Sequence, residues 1–161
     1  MRYVMKQKLF TFGDDFIIRD ESGADRFFVD GQVFTLGAKL SFQDMEKHEL
    51  AFIKQRVLSW SPTYEIYRNE SLMAVVKKEL FTFFNCKFTV DVPGPDDLEG
   101  SGNFTDHEYV LTRGDQVVAT VSKQWFAWTD TYGVDIADGQ DDVLILASTV
   151  VIDMACHRDN H

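Results

Sequence analysis

The sequence predicts a mainly β fold: a closed barrel of roughly twelve strands wrapped around one central hydrophobic C-terminal helix. Three observations lead there. Apolar residues recur with period two through most of the chain, punctuated by turn signals. Hairpin-like units restart at Phe16, Leu40, Tyr64 and Phe88, each 24 residues after the last. Residues 143–156 are apolar on every side of a helix except at Ser148, Thr149 and Asp153, and a helix of that kind must be surrounded.

The elements follow in order. Phe16-Ile17-Ile18-Arg19-Asp20 runs into the turn Glu21-Ser22-Gly23 and a strand over 26–29. Asp30-Gly31 then reads as a two-residue hairpin turn, because both positions accept positive φ, and 33–36 reads as the returning strand. The second unit comprises strands at 40–44 and 50–53, with a polar turn between them at 45–48, and a third strand at 57–60. Strands at 64–68, 72–76 and 80–84 form the third unit, with a turn at Asn69-Glu70. The fourth opens at 88–90 and is stretched by Pro93-Gly94-Pro95 and Gly100-Ser101-Gly102. It resumes with strands at 109–112 and 117–121 around the turn Arg113-Gly114-Asp115, and closes near Val134-Asp135-Ile136.

The terminal helix fits inside this sheet and not across a bilayer. Fourteen residues span about 21 Å, whereas a hydrocarbon core of roughly 30 Å needs about 20 apolar residues. Asp141-Asp142 caps its start. Asp142, Leu146, Val150 and Asp153 mark it as the structural core helix. A barrel of this size does not fill its own lumen with side chains, so the helix is expected to be the plug. Asp153, buried there, needs a polar partner, and His157 at i+4 is the nearest in sequence.

Composition bounds the function. The chain of 161 residues is long enough for one domain, 1–161, and carries a formal charge of −10. That field repels phosphate backbones, so nucleic acid is not an expected partner. Cys86 and Cys156 sit on apolar stretches and read as buried reduced thiols. The first residues lack the apolar core of a signal peptide, and no segment reads as transmembrane, so a cytoplasmic location is expected, with peripheral contact at the membrane.

No catalytic or nucleotide-binding motif stands out, no cofactor is implied, and the histidines at 48, 107, 157 and 161 read as surface residues. Asp135, Asp138, Asp141 and Asp142 supply oxygen atoms of the kind calcium takes, without the regular D-x-D-x-D-G spacing. Trp60, Trp125, Trp128 and Tyr132 read either as a mouth or membrane-facing surface or as core packing. Lys54, Arg56, Lys77 and Lys78 are the candidates for contact with a phosphorylated lipid headgroup.

Asp130-Thr131-Tyr132-Gly133-Val134-Asp135-Ile136, followed by Asp142-Val143-Leu144-Ile145-Leu146-Ala147 and Val151-Ile152-Asp153, resembles the C-terminal signature of the LURP-one-related family. Phe16-x-Ile18-x-Asp20-x-x-Gly23 resembles that family's first hairpin, so the likeness covers nearly the whole chain. The family is grouped with tubby C-terminal domains and phospholipid scramblases. The resemblance implies the tubby C-terminal-like architecture, a twelve-stranded barrel on a central helix. It also implies relatives that bind phosphoinositides or calcium, the scramblase calcium segment falling where Asp130, Asp135, Asp138 and Asp141 stand here. The resulting expectation is a non-enzymatic binding or scaffold protein with a phospholipid or protein partner. The alternative is a carrier of hydrophobic small molecules using the barrel mouth.

Overall fold

The structure, a computed structural model, describes residues 1–6, 15–34, 37–80, 86–125 and 131–158. The strands are β1 (Arg2–Lys6), β2 (Phe16–Asp20), β3 (Asp25–Phe34), β4 (Gly37–Asp44), β5 (Glu49–Gln55), β6 (Thr63–Arg68), β7 (Ser71–Leu80), β8 (Cys86–Asp91), β9 (Leu98–Asn103), β10 (Glu108–Arg113), β11 (Gln116–Ser122) and β12 (Thr131–Ile136), followed by α1 (Asp142–Arg158). Each strand pairs antiparallel with its neighbours in sequence, and β1 lies between β2 and β12, so the sheet closes. The seam is tied at the chain's start: the Met1 ammonium donates to the Ile136 carbonyl, and the Ile136 N–H donates to the Met1 carbonyl, both at 2.9 Å.

Strand alternation sends one row of side chains inward, including Met5, Ile18, Phe42, Ile53, Ile66, Phe88 and Leu111, all with no exposure. Against them lies α1, whose Ile145, Leu146, Ala147, Val150, Val151 and Ile152 are likewise wholly buried. The expected plug is therefore the core. Its polar residues are satisfied from within. Ser148 Oγ donates to the Leu144 carbonyl at 2.8 Å and Thr149 Oγ1 to that of Ile145 at 2.9 Å, the back-bonding that lets hydroxyls sit in an apolar lumen.

The expected cap is present and reinforced. Asp141 Oδ1 accepts the Leu144 N–H at 3.2 Å, and both terminal nitrogens of Arg68 reach the same carboxylate at 3.1 Å. Tyr3 donates its hydroxyl to Asp142 at 2.6 Å. Because Arg68 ends β6 and β1 begins at the same rim, α1 enters there and runs toward the opposite mouth, where β5 passes to β6 and β9 to β10. Among the described residues, no helix is long and apolar enough to cross a membrane.

The count of twelve strands holds, but several readings of where they lie do not. Asp30-Gly31 is no turn: β3 continues through it, Asp30 facing Ser41 and Gly31 facing Leu40 on β4. A favourable turn dipeptide loses to an unbroken ladder of cross-strand pairs. Residues 57–60 form a connecting loop instead of a strand. Gly100-Ser101-Gly102, read as loop, belongs to β9. Gly102 has φ +133°, and a Cβ there would stand 2.7 Å from Glu108 O and Tyr109 Cα, so only glycine lets β9 approach β10 this closely. β1 was not foreseen as a strand. The returning strand over 80–84 lies largely outside the described residues; Leu80 closes a β7 that is one continuous strand.

Candidate functional site

The headgroup candidates gather on one quarter of the barrel. Lys54 is exposed on the outer face of β5, opposite Lys39 on β4 and Glu65 on β6. Arg56, just past β5, places its Nε 3.0 Å from Glu65 Oε1. The Tyr67 hydroxyl also donates to Glu65, and this bond first, with Arg56 behind it, holds the carboxyl below its ordinary range. Lys77 lies on the outer face of β7 with its Nζ 4.0 Å from Asp91, opposite Thr63 and Thr89. Lys78, one residue on, takes the inward phase shared with Phe88, and its N–H donates to the Pro62 carbonyl at 3.0 Å. All four stand near the strand ends at the mouth where β5 passes to β6.

The calcium candidates do not converge. Asp141 caps α1 and pairs with Arg68; Asp135 faces Arg2 at 3.8 Å across the seam; Asp138 is exposed in the turn beyond β12. Asp130 lies outside the described residues. Asp44, Glu46 and His48, in the β4–β5 turn, do bring ligand atoms within 4.8 Å of one another. Turn formation accounts for that grouping: Asp44 accepts the N–H groups of Glu46 and His48 at 2.9 Å, and His48 Nδ1 lies 3.0 Å from the same carboxylate.

The aromatic candidates part company. Trp60 is fully exposed; Trp125 is half-buried under the Arg2 guanidinium, 4.3 Å from its ring centroid; Tyr132 is buried in the core. Trp128 lies outside the described residues.

One cluster escaped the sequence reading. Asp153 finds a partner in His107: His107 Nε2 lies 2.8 Å from Asp153 Oδ1, and both side chains are 2% exposed; the side chain of His157, the candidate at i+4, lies outside the described residues. Tyr132 donates its hydroxyl to Asp153 Oδ2 at 3.3 Å, and its ring stacks on the imidazole with centroids 4.2 Å apart. The β9–β10 turn delivers the histidine inward. His107 takes φ 54°, Asn103 Oδ1 accepts the Asp106 N–H at 3.1 Å, and Phe104 packs between Phe88 and Tyr109 at 4.9 Å from each. Nothing in local spacing announces a pair 46 residues apart. His107 was expected at the surface, because the acidic loop around it reads as solvated. Cys156, three residues beyond Asp153, is a buried thiol, as expected; the side chain of Cys86 lies outside the described residues.

Burial first, and the Asp153 carboxylate second, push the Tyr132 and Tyr109 phenols well above the ordinary 10.0. At the other end of α1, burial and then the Asp142 hydrogen bond raise Tyr3. A group whose folded pKa is raised contributes stability that is complete below its unfolded pKa and is lost as pH climbs past it. Urea midpoints should therefore stay flat from neutral pH to about pH 10 and fall above it, as the unfolded chain releases phenolic protons that the barrel retains. Tyr132→Phe should flatten part of that decline; an unchanged slope in this variant would mean that Tyr132 is not among the phenols held back.

α1 occupies the lumen, with its apolar side chains wholly buried against the strands. A family model described as LURP-one-related matches residues 1–153. The uncharacterized protein YxjI of Bacillus subtilis (strain 168) is 35% identical over 155 residues, covering 96% of this chain and 93% of its own. The X-ray structure of an Arabidopsis thaliana protein aligns with TM-score 0.66 at 18% identity, over 99% of this chain and 92% of the other, a likeness of fold.

Proposed function

The chain belongs to the LURP-one-related family, and on that premise we propose that it is a non-enzymatic binding module that recognises anionic phospholipid headgroups, phosphoinositides included, through its outer wall. The observation that carries this reading is the placement of Lys54, Arg56, Lys77 and Lys78 around one mouth of a barrel whose interior is occupied. A filled lumen leaves recognition to the wall and rim. There, ammonium and guanidinium groups on neighbouring strands offer several contacts to a multiply charged phosphate. The acid–base cluster of His107, Asp153 and Tyr132 resembles catalytic chemistry in composition, yet it is closed to solvent and serves the packing of α1.

Vesicle flotation tests the proposal. The full chain should float with phosphatidylcholine vesicles that contain phosphatidylserine or a phosphoinositide, and not with phosphatidylcholine alone. Binding should weaken with salt, as an exposed electrostatic contact does. The double variant Lys54→Glu, Lys77→Glu alters only outward-facing positions and should abolish flotation. Absence of binding to every anionic vesicle at moderate ionic strength rejects the lipid reading and leaves a protein partner as the ligand of the wall.

A further inference from the structure

The loop joining β5 to β6 carries the most exposed apolar side chains among the described residues. Val57 is 55% exposed, Leu58 96% and Trp60 106%. The loop is nevertheless held in place. The Arg56 N–H donates to the Thr63 carbonyl at 2.9 Å and the Lys78 N–H to that of Pro62 at 3.0 Å, closing the loop's base against β6 and β7. Ser59 Oγ and Thr63 Oγ1 both donate to the Ser61 carbonyl, at 2.7 and 3.0 Å. Val57 packs so near β4 that a Cβ at Gly37 would lie 3.3 Å from its Cγ2. A fixed backbone thus presents a leucine and a tryptophan to water, an arrangement that gains free energy only when something apolar covers it.

Charge says what that cover is. Lys39, Lys54, Arg56, Lys77, Lys78 and Lys87 stand toward the ends of β4, β5, β7 and β8 around this loop; Glu65 pairs with Arg56, Asp91 with Lys77, and Glu79 and Glu99 with Lys87. The connections at the opposite rim carry Glu21, Glu46, Glu70, Asp96, Asp97, Asp115, Asp138 and Asp141 against Lys47, and Arg19, Arg26 and Arg68 on the adjoining strand ends are paired with Asp25, Asp20 and Asp141. The barrel is therefore polarised along its axis, with a basic, apolar-tipped mouth and an acidic far rim, within a chain of net charge −10. An anionic bilayer matches both halves of this pattern: its surface attracts the basic collar while the acidic rim faces away, and its interface is the environment that tryptophan prefers. Long lysine stems let the collar's ammonium groups stay at headgroup level while the tip goes deeper.

We infer that the β5–β6 loop is a membrane-insertion loop, with Leu58 and Trp60 entering the interfacial region of an anionic phospholipid bilayer beneath the basic collar. The inference rests on the headgroup reading above and adds depth of penetration to it. A protein partner is the competing occupant, and the test separates the two.

The experiment uses the full chain with phosphatidylcholine–phosphatidylserine vesicles whose acyl chains are brominated, because bromine quenches only indole that reaches the chains. Wild-type tryptophan emission should shift to the blue and be quenched. In Trp60→Phe the quenching should be lost while flotation persists, since phenylalanine keeps the apolar anchor. Leu58→Asp should weaken flotation roughly tenfold or more, a charge replacing buried apolar area. An unchanged thermal midpoint in both variants, expected at positions this exposed, assigns the changes to binding. Flotation with equal quenching in wild type and Trp60→Phe, or undiminished flotation of Leu58→Asp, overturns insertion and leaves headgroup binding standing. Failure of the wild-type chain to bind any anionic vesicle overturns both and turns the loop over to a protein partner.

Discussion

Replacing Asp153 with alanine should lower the stability of the barrel by about 3–5 kcal/mol, read as a fall in the urea midpoint at unchanged slope. The size follows from burial. Asp153 and His107 are each 2% exposed, so water does not screen their contact and cannot replace it. The truncation leaves His107 Nε2 and the Tyr132 hydroxyl facing the space of a missing carboxylate at the mouth end of α1. Asp153→Asn keeps an acceptor oxygen in place and should cost less. His107→Ala should cost nearly as much as Asp153→Ala, and the double variant should cost much less than the two losses added, because each single change already breaks the pair. Simple additivity in that cycle would show that the two side chains contribute independently and that the contact does not bind α1 to the β9–β10 turn.

The same pair marks the boundary of what the sequence discloses. The helix was legible because its signal is local: consecutive apolar residues, two aspartates ahead, a length too short for lipid. The number of strands was legible because period-two runs and turn residues set an approximate rhythm. Strand membership was less so, since pairing decides it. Asp30-Gly31 is turn chemistry, yet β4 is long enough to hold β3 straight through it. Gly100-Ser101-Gly102 is loop chemistry, yet β10 needs a strand without side-chain bulk beside Tyr109. The 57–60 run has the apolar composition of a strand, yet it joins no ladder and stands in water. That misreading has a physical cause: exposed apolar residues imitate core by composition, and only the fold tells them apart. The basic candidates were chosen from two sequence pairs, Lys54/Arg56 and Lys77/Lys78, and β6 brings these to one mouth by lying between β5 and β7.

Leu146→Ala is the second large effect expected, a loss of about 2–5 kcal/mol. Leu146 is wholly buried inside a lumen that the sheet closes on every side, so the surrounding strands cannot collapse into the vacated volume without breaking ladder pairs. The lost midpoint should therefore fall in the upper part of that range, and a small apolar probe such as benzene should restore part of it by occupying the cavity. At a temperature where the variant remains folded, its flotation with anionic vesicles should match the wild type. The two measurements together separate interior from surface: a barrel whose core helix can be hollowed without touching membrane binding uses that helix as scaffold, whereas a parallel loss of binding would place the ligand's contacts on α1 and reopen the interior as the site.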